Sequence, residues 1–473
     1  MTRRSKKPPF CGKLPVNLDF SSSKYSYEEF VLSSLLDRFK VVHCFGYPSS
    51  KKVQPTRVAS VHSRPSQTRG GCKMKEVVIA GYLRTAQSRS RPREPGRDWF
   101  HKLRGDELLS RLMPALMERI KVKPGELDDF ITGSAMGVYE NWTYGGRFPV
   151  FLADFPETLA AKFVDQQCGS SMAAIHIGYM EIATGNADIV MASGFEHMTR
   201  VPMGASPEAI SPNMALMSEE SYKHWDFATS MSMGLTAEKL FAQAKCTRED
   251  MDAWGARAHQ LATKAQEEGF FDEEILPIEA VQADGSIVQV DTDQAVRPDT
   301  TVEGMAGLKP AFKLDGAITA GNSSPLNAGA SCMVLMSRET AKAKRIQPLA
   351  TIRSIGFAGV DPTIMGRGPV PASRKALKAA GLSAKDIDYW EINEAFCIVA
   401  LNCIQELVLD PDRVNVMGGG TAIGHPLGAS GCRLVGTLAR ILNVRDARYG
   451  CANACCGGGQ GVATVIERET YDW

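Results

Sequence analysis

The sequence predicts an α/β fold built from two halves of similar design. From Met74 onward, short apolar strands alternate with helical stretches, which is the pattern of an α/β architecture. Two glycine-rich passages, 168–185 and 424–442, each place a reactive side chain just before a helix of small residues. Because these passages share one design and lie about 250 residues apart, they predict two halves of related topology. The length of 473 residues suits two or three domains.

Each element is predicted from the spacing of its apolar residues. Short runs rich in valine, isoleucine and aromatic side chains predict strands. The predicted strands span 77–80, 129–132, 189–193, 333–337, 351–357, 389–392, 414–416, 449–454 and 461–467. Apolar residues that recur three and four positions apart predict helices. The predicted helices span 106–119, 171–184, 249–268, 372–380 and 429–442.

The pattern loosens between residues 199 and 324, where methionine-rich and charged segments predict an insertion that rests on the two halves. The expected parts are an extension over 1–73, a first half over 74–199, an inserted loop domain over 200–326, a return to the first half over 327–345 and a second half over 346–473.

The first 73 residues differ in composition from the rest of the chain. Lysine and arginine outnumber aspartate and glutamate there by 14 to 4, although the whole chain carries only +1. We expect a non-native or upstream-translated extension, and therefore a cytoplasmic protein. A transit peptide for organellar import is disfavoured by Glu28, Glu29 and Asp37, and a short amphipathic accessory helix is a third reading.

Composition also excludes several classes of function. The remainder of the chain is acidic, which disfavours nucleic-acid binding. No run approaches the ~20 apolar residues that a membrane span needs. The 12 cysteines follow no regular spacing, so free thiols in a reducing compartment are expected, with neither disulfides nor a metal site.

Cys168 is the first candidate for chemistry. It stands in Gln-Cys-Gly-Ser-Ser, where a loop meets a helix N-terminus. The free helical N–H groups and the helix dipole favour a thiolate, so we expect a pKa below ~8.5. The small neighbours allow backbone N–H groups to approach a substrate carbonyl. The alternative is a buried cysteine packed against the helix.

Three further passages carry reactive or polar side chains. His425 alone among the histidines lies between glycines and a proline, on a rigid turn where it can act as a base for a thiol or cap a helix. Cys455 and Cys456 precede a glycine run that predicts close approach of a ligand; either thiol could carry a proton or be inert packing. Asn393, beside Glu394 after a predicted strand, could hold an oxyanion or a water.

The order of these passages resembles the thiolase family. Gln-Cys-Gly-Ser-Ser, Asn-Glu-Ala-Phe, Gly-His-Pro-Leu-Gly and Cys-x-Gly-Gly-Gly-x-Gly follow one another as they do in thiolases. Segments 196–204, 233–238, 297–312 and 361–383 are most similar to the degradative 3-ketoacyl-CoA thiolases of fatty acid β-oxidation. The resemblance implies two βαβαβαββ halves in a five-layered α-β-α-β-α arrangement, with an inserted loop domain over the site.

The resemblance also implies a role for each site residue. Cys168 would form the acyl-enzyme, His425 would take its proton, and Cys455 would exchange a proton with the acetyl-CoA carbon. Asn393 would hold a water that shares one oxyanion site with His425, and the backbone N–H groups of Cys168 and Gly457 would form the other. Coenzyme A is then a substrate, and no cofactor is expected.

Three residues are expected near the substrate or coenzyme A. By resemblance, Ser324 matches a serine beside the pantetheine arm, and Arg297 lies in a segment that would line the coenzyme A entrance. Met203 stands where biosynthetic acetoacetyl-CoA thiolases tend to carry a histidine, which favours the degradative group.

Other readings and partners remain open. A biosynthetic acetyl-CoA C-acetyltransferase shares all four motifs. A decarboxylating ketosynthase would need a second histidine where Cys455 stands, and a non-catalytic acyl-CoA-binding member would lack a catalytic residue, but none is missing. The family implies a homodimer or homotetramer, in some cases with a multifunctional β-oxidation subunit.

Overall fold

The computed structural model describes residues 74–204 and 210–470. The predicted extension over 1–73 therefore lies outside the described residues. In the described part, the strands are β1 (Val77–Arg84), β2 (Ser88–Arg89), β3 (Asp129–Gly133), β4 (Ala160–Val164), β5 (Ile189–His197), β6 (Ile278–Val281), β7 (Ile287–Val290), β8 (Asn327–Ser337), β9 (Ala350–Gly359), β10 (Tyr389–Ile392), β11 (Tyr449–Cys456) and β12 (Gln460–Arg468).

The α-helices of the described residues alternate with these strands. They are α1 (Gly105–Arg119), α2 (Arg147–Leu152), α3 (Ser170–Ala183), α4 (Ala215–Ser218), α5 (Phe227–Met231), α6 (Met233–Phe241), α7 (Arg248–Glu267), α8 (Val302–Ala306), α9 (Arg338–Lys344), α10 (Pro369–Ala380), α11 (Cys397–Leu407), α12 (Gly420–Ile423) and α13 (Ser430–Val444).

The large sheet consists of two half-sheets with the same strand order. The first half runs β4-β3-β5-β8-β1, and the second runs β10-β11-β12-β9. A parallel bridge from Trp390 to Val414 supplies, beyond β10, the counterpart of β4. The halves join where β1 pairs antiparallel with β9. The predicted duplication of topology is confirmed.

Helices α3 and α13 form the central layer of the fold. Both contact strands of the two half-sheets and each other, while α1 covers the outer face of the first half and α10 that of the second. A side chain at Gly431 would meet the backbone of Met172, so the N-terminal ends of α3 and α13 approach to backbone contact. The Ser171 Oγ accepts a hydrogen bond from the Cys432 N–H at 3.0 Å. The predicted α-β-α-β-α layering is confirmed, and it brings the two helix N-termini together.

A buried ionic cluster fastens the segment between β5 and β8 to the first half. The Arg84 guanidinium donates to Glu274 at 2.7 Å and to both oxygens of Asp293 at 2.7 and 3.0 Å. All three side chains are buried. Because the carboxylates neutralise the guanidinium in a dry site, they hold the 274–293 region against the end of β1.

The predicted strand over 414–416 is wrong beyond its first residue. Asn415 has φ of 50°, which turns the chain away from an extended path. Its side chain replaces a strand partner, since Oδ1 accepts the Ile392 N–H at 2.8 Å and Nδ2 donates to the Ile392 carbonyl at 2.9 Å. Strand β4 was not predicted.

No helix among residues 74–204 and 210–470 is long and apolar enough to cross a membrane.

Candidate active site

Cys168 lies in a tight 3-10 turn, Gln167–Gly169, immediately before α3. Gln167 has φ of 51°, and its backbone N–H is held by Asp165 at 2.8 Å, so the turn is fixed from the side of β4. The thiol is buried in a small apolar cluster with Ala135, Met198 and Leu427, separate from the larger cores.

The pKa of Cys168 is raised, whereas the sequence led us to expect that it would be lowered. Burial raises the pKa of the thiol to about 12, although the backbone N–H of Gly457 acts in the other direction. The site is dry enough that desolvation of the thiolate outweighs the helix N-terminus. The resting group is therefore a neutral thiol, and it needs a base at the moment of attack.

His425 lies on the turn that precedes α13, and its ring is held at both nitrogens. Nδ1 is 2.6 Å from the Ser430 Oγ, and that hydroxyl donates to the Pro426 carbonyl at 2.9 Å. The hydroxyl must then accept from Nδ1–H, which leaves Nε2 unprotonated as the basic nitrogen. Burial lowers the pKa of His425 to about 3, so the resting imidazole is neutral.

Asn393 at the end of β10 contacts the basic nitrogen of that imidazole. Its Nδ2 is 3.1 Å from His425 Nε2, while its Oδ1 is buried without a hydrogen-bond partner. The neighbouring Glu394 faces elsewhere, since its carboxylate accepts from Trp254 Nε1 at 2.8 Å and from the Thr421 N–H at 3.1 Å. Asn393 therefore belongs to the site, whereas Glu394 fixes the glycine turn before α12.

The two adjacent cysteines at the end of β11 have different surroundings. Cys456 packs behind the Cys168 turn, since a side chain at Gly169 would lie 2.6 Å from its sulfur. Cys455 belongs instead to the core cluster that contains Phe396 of the Asn-Glu-Ala-Phe motif. Burial raises the pKa of Cys455 well above its usual range, and negative charge on Cys168 raises it further. Cys168 and Cys455 are thus close enough to influence each other.

A cavity of about 520 Å³ holds two of the three residues predicted near coenzyme A. Its lining includes Arg297 and Ser324, together with Thr421 beside the glycine turn. The Ser324 Oγ donates to the Ala395 carbonyl at 3.2 Å, which links the cavity wall to the motif that carries Asn393. The cavity therefore adjoins the segment that carries Asn393.

Met203 is placed apart from that cavity. It is 37% exposed and is not among the described residues of the lining. Its predicted part in substrate binding stays a prediction.

Comparisons with known proteins identify the family of the chain. The family model described as Thiolase, N-terminal domain matches residues 77–339, and that described as Thiolase, C-terminal domain matches 346–468. The chain belongs to the thiolase family. The resemblance drawn from the four motifs is confirmed.

Relatives of this thiolase include a bacterial protein and two solved structures. A 3-ketoacyl-CoA thiolase from Marinobacter nauticus is 43% identical over 399 residues, which is 83% of this chain and 98% of that protein. The human mitochondrial 3-ketoacyl-CoA thiolase structure has a TM-score of 0.75 at 32% identity, covering 84% of this chain and 100% of its own. The Bacillus anthracis acetyl-CoA acetyltransferase structure has a TM-score of 0.73 at 36% identity with the same coverage.

Sequence reasoning missed several residues of this thiolase's site. Ser430, which sets the tautomer of His425, stands five positions after it as the first residue of α13, and that spacing was the available signal. Arg89 and His259 line the cavity beside Arg297 but carry no motif. Burial, together with the charges of Arg297 and two other arginines, lowers the pKa of Arg89 to about 10.

The arrangement offers a thiol nucleophile, a neutral imidazole base, a second thiol and directed backbone N–H groups. Among the described residues no cluster of histidine, cysteine, aspartate or glutamate could hold a metal ion. The chemistry that such a set of groups can perform is acyl transfer through a cysteine thioester.

Proposed function

We propose that this thiolase cleaves 3-ketoacyl-CoA with coenzyme A to give acetyl-CoA and a shortened acyl-CoA. The observation that carries the proposal is the meeting of the α3 and α13 N-termini, which brings the Cys168 and His425 turns together under the end of β11. The high identity to a 3-ketoacyl-CoA thiolase supports this substrate class.

The first half-reaction begins with a proton transfer. His425 Nε2 takes the Cys168 proton as the sulfur attacks the 3-keto carbon, because Ser430 keeps the proton of Nδ1 in place. Rotation of the Asn393 amide then offers its free Oδ1 to the protonated Nε2. The 3-keto oxygen becomes an oxyanion in this step. Hydrogen bonds would stabilise it, and they are strongest in a dry site such as this one.

Collapse of the tetrahedral adduct breaks the bond between C2 and C3. Its electron pair becomes the enolate of acetyl-CoA, and the Cys455 thiol delivers its proton to C2. The products are acetyl-CoA, the Cys168 thioester and the Cys455 thiolate. The Gly457 N–H, which acts to lower the pKa of Cys168, would stabilise a carbonyl oxygen there.

The second half-reaction restores the enzyme. The Cys455 thiolate removes the thiol proton of an incoming coenzyme A, whose sulfur attacks the acyl carbon on Cys168. The Cys168 thiolate leaves and regains its proton from His425, so that no proton or electron is lost over the cycle. The 520 Å³ cavity would hold the pantetheine arm along Ser324, with Arg297 and Arg89 toward the phosphates.

The test is a steady-state assay of coenzyme A-dependent cleavage with 3-ketoacyl-CoA of short, medium and long chain. Turnover of medium and long chains supports the degradative function. Cleavage of acetoacetyl-CoA alone would assign the biosynthetic acetyltransferase reaction, which the likeness to the Bacillus anthracis enzyme keeps as the second candidate. Folded protein without any cleavage would contradict the proposal and favour an acyl-CoA-binding role.

We also propose that the chain forms a homodimer through the edge of β4, with a tetramer as a pairing of dimers. Among the described strands β4 pairs only with β3, so its outer edge is open. The segment packed against it exposes large apolar side chains, namely Tyr139, Trp142, Tyr144, Phe151 and Leu152. We expect light scattering to give twice the chain mass, and W142E to give one chain mass; a wild-type monomer would contradict this.

No cofactor beyond the substrate coenzyme A is proposed. A cytoplasmic location and a multifunctional β-oxidation subunit remain predictions from the sequence.

A further inference from the structure

Glu196 is a buried carboxylate in β5 that accepts hydrogen bonds from four donors. Oε1 accepts from the Ser134 Oγ at 2.8 Å and from Asn141 Nδ2 at 2.7 Å. Oε2 accepts from the Ala135 N–H at 2.8 Å and from the Gly428 N–H at 3.0 Å. The side chain is fully buried. Four donors and no acceptor are the partners of an ionised carboxylate.

These donors belong to segments that enclose Cys168. Ala135 and Leu427, the residue before Gly428, are two of the three apolar neighbours in the Cys168 cluster. Gly428 also lies on the turn that carries His425, whereas Ala135 follows β3 in the other half. The approach is tight, since a side chain at Gly428 would lie 2.4 Å from the Phe195 carbonyl. One carboxylate thus ties the two halves together at the nucleophile.

We propose that Glu196 is a positioning residue for the Cys168 reaction, which holds the walls of the nucleophile and, by its negative charge, disfavours the Cys168 thiolate. The positioning part rests on the proposed thiolase function. The charge part concerns the thiol alone and can be tested without turnover.

Electrostatics support the charge part of the proposal. Burial raises the pKa of Glu196 to about 7, against the pull of its hydrogen bonds, so its charge is present above neutral pH. Burial has the largest effect on the pKa of Cys168, and the Gly457 N–H opposes it. Among charged groups, Glu196 raises that pKa most. The other ionisable groups around that thiol are Asp165, Cys455, Cys456 and His425. Asp165 acts in the same direction from an exposed position.

Two substitutions separate charge from position. E196Q removes the charge and keeps the shape: its oxygen can serve the two backbone N–H groups, and its amide can donate to the Ser134 hydroxyl and to the Asn141 Oδ1, which has no partner at present. E196D keeps the charge but withdraws the carboxylate from its donors by one methylene. E238Q is the matched control, because Glu238 is also buried and accepts from the backbone N–H groups of Ala317 and Ile318.

The first readout is the rate at which iodoacetamide alkylates Cys168, followed by peptide mass spectrometry from pH 6 to pH 9. We expect E196Q to react about three to ten times faster than wild type above pH 7, because the loss of one nearby charge lowers a thiol pKa by roughly 0.5–1 unit. The ratio should grow as the pH passes the Glu196 pKa. E238Q should match wild type. Equal or slower alkylation of E196Q at pH 8.5 would overturn the charge role.

The second readout is steady-state thiolysis. We expect E196D to lose kcat by about 100-fold with little change in KM, since a misplacement of ~1 Å has that effect on a reacting pair. Its alkylation should be no faster than that of wild type. Wild-type kcat in E196D would overturn the positioning role. If wild type itself showed no thiolysis, the proposed function would fail while the alkylation comparison still decided the charge role.

Discussion

Substitution of each cysteine of the doublet by serine distinguishes catalysis from packing. Cys455 is assigned the proton transfer to and from C2, whereas the Cys456 sulfur packs against Gly169 behind the nucleophile turn. A serine hydroxyl is far too weak an acid to replace a thiol in proton transfer. Its volume is smaller than that of a thiol, so at position 456 it does not press on Gly169.

The expected magnitudes follow from these two roles. Loss of a general acid and base costs about 10²–10⁴-fold in rate, so C455S should lose kcat by that factor. C456S leaves the packing against Gly169 nearly unchanged, so its kcat should stay within about threefold of wild type. Because it buries a hydroxyl in an apolar site, its free energy of unfolding should fall by about 1–3 kcal/mol.

The assay pairs thiolysis with deuterium exchange at the α-carbon of acetyl-CoA, which reports the Cys455 proton transfer directly. C455S should lose exchange and C456S should retain it, while Cys168 alkylation persists in both as evidence of an intact site. Loss of exchange in C456S with retention in C455S would refute the assignment of the two thiols.

Three further predictions concern stability and binding. R84M should lower the free energy of unfolding by about 3–5 kcal/mol in urea titrations, because Glu274 and Asp293 would be left buried without a cation; a change below ~1 kcal/mol would contradict this. Burial lowers the pKa of His176 to about 4, so between pH 6.5 and pH 4 the unfolded chain binds the proton first and the wild type loses up to about 3 kcal/mol of stability. H176Q should lack this loss. Calorimetry at both pH values that showed the same fall in the free energy of unfolding for wild type and H176Q would contradict this. R89Q should raise KM for coenzyme A about tenfold at constant kcat, as expected when a cation that lines the cavity loses a phosphate contact; an unchanged KM would remove Arg89 from the site.

Much of the fold could be predicted because its helices and strands follow from local patterns in the sequence. Strand β1 and helix α13 follow from the spacing of apolar residues, and the repeated glycine-rich passages predicted the related halves. Strand β4 was missed because it is an edge strand whose side chains are exposed or half-buried, so it lacks a buried apolar face. The strand predicted over 414–416 failed because the Asn415 side chain takes the hydrogen bonds that a strand would make.

The meeting of the candidate site motifs could be predicted from the sequence, but their electrostatics could not. Cys168 and His425 precede helices whose N-termini meet, as the two passages suggested. The direction of the Cys168 pKa was wrong because the helix dipole is visible in a sequence, whereas burial by Met198 and Leu427 is a tertiary effect. Glu196 carries no local signal, since its four donors come from distant parts of the chain.

The central claim is that Cys168 carries the acyl group. The most direct measurement is mass spectrometry of the protein incubated with 3-ketoacyl-CoA in the absence of free coenzyme A. The account predicts one acyl group, shorter by two carbons than the substrate, on the peptide that contains Cys168, and its disappearance when coenzyme A is added. An acyl group on another cysteine, or persistence on Cys168 after coenzyme A is added, would contradict the account.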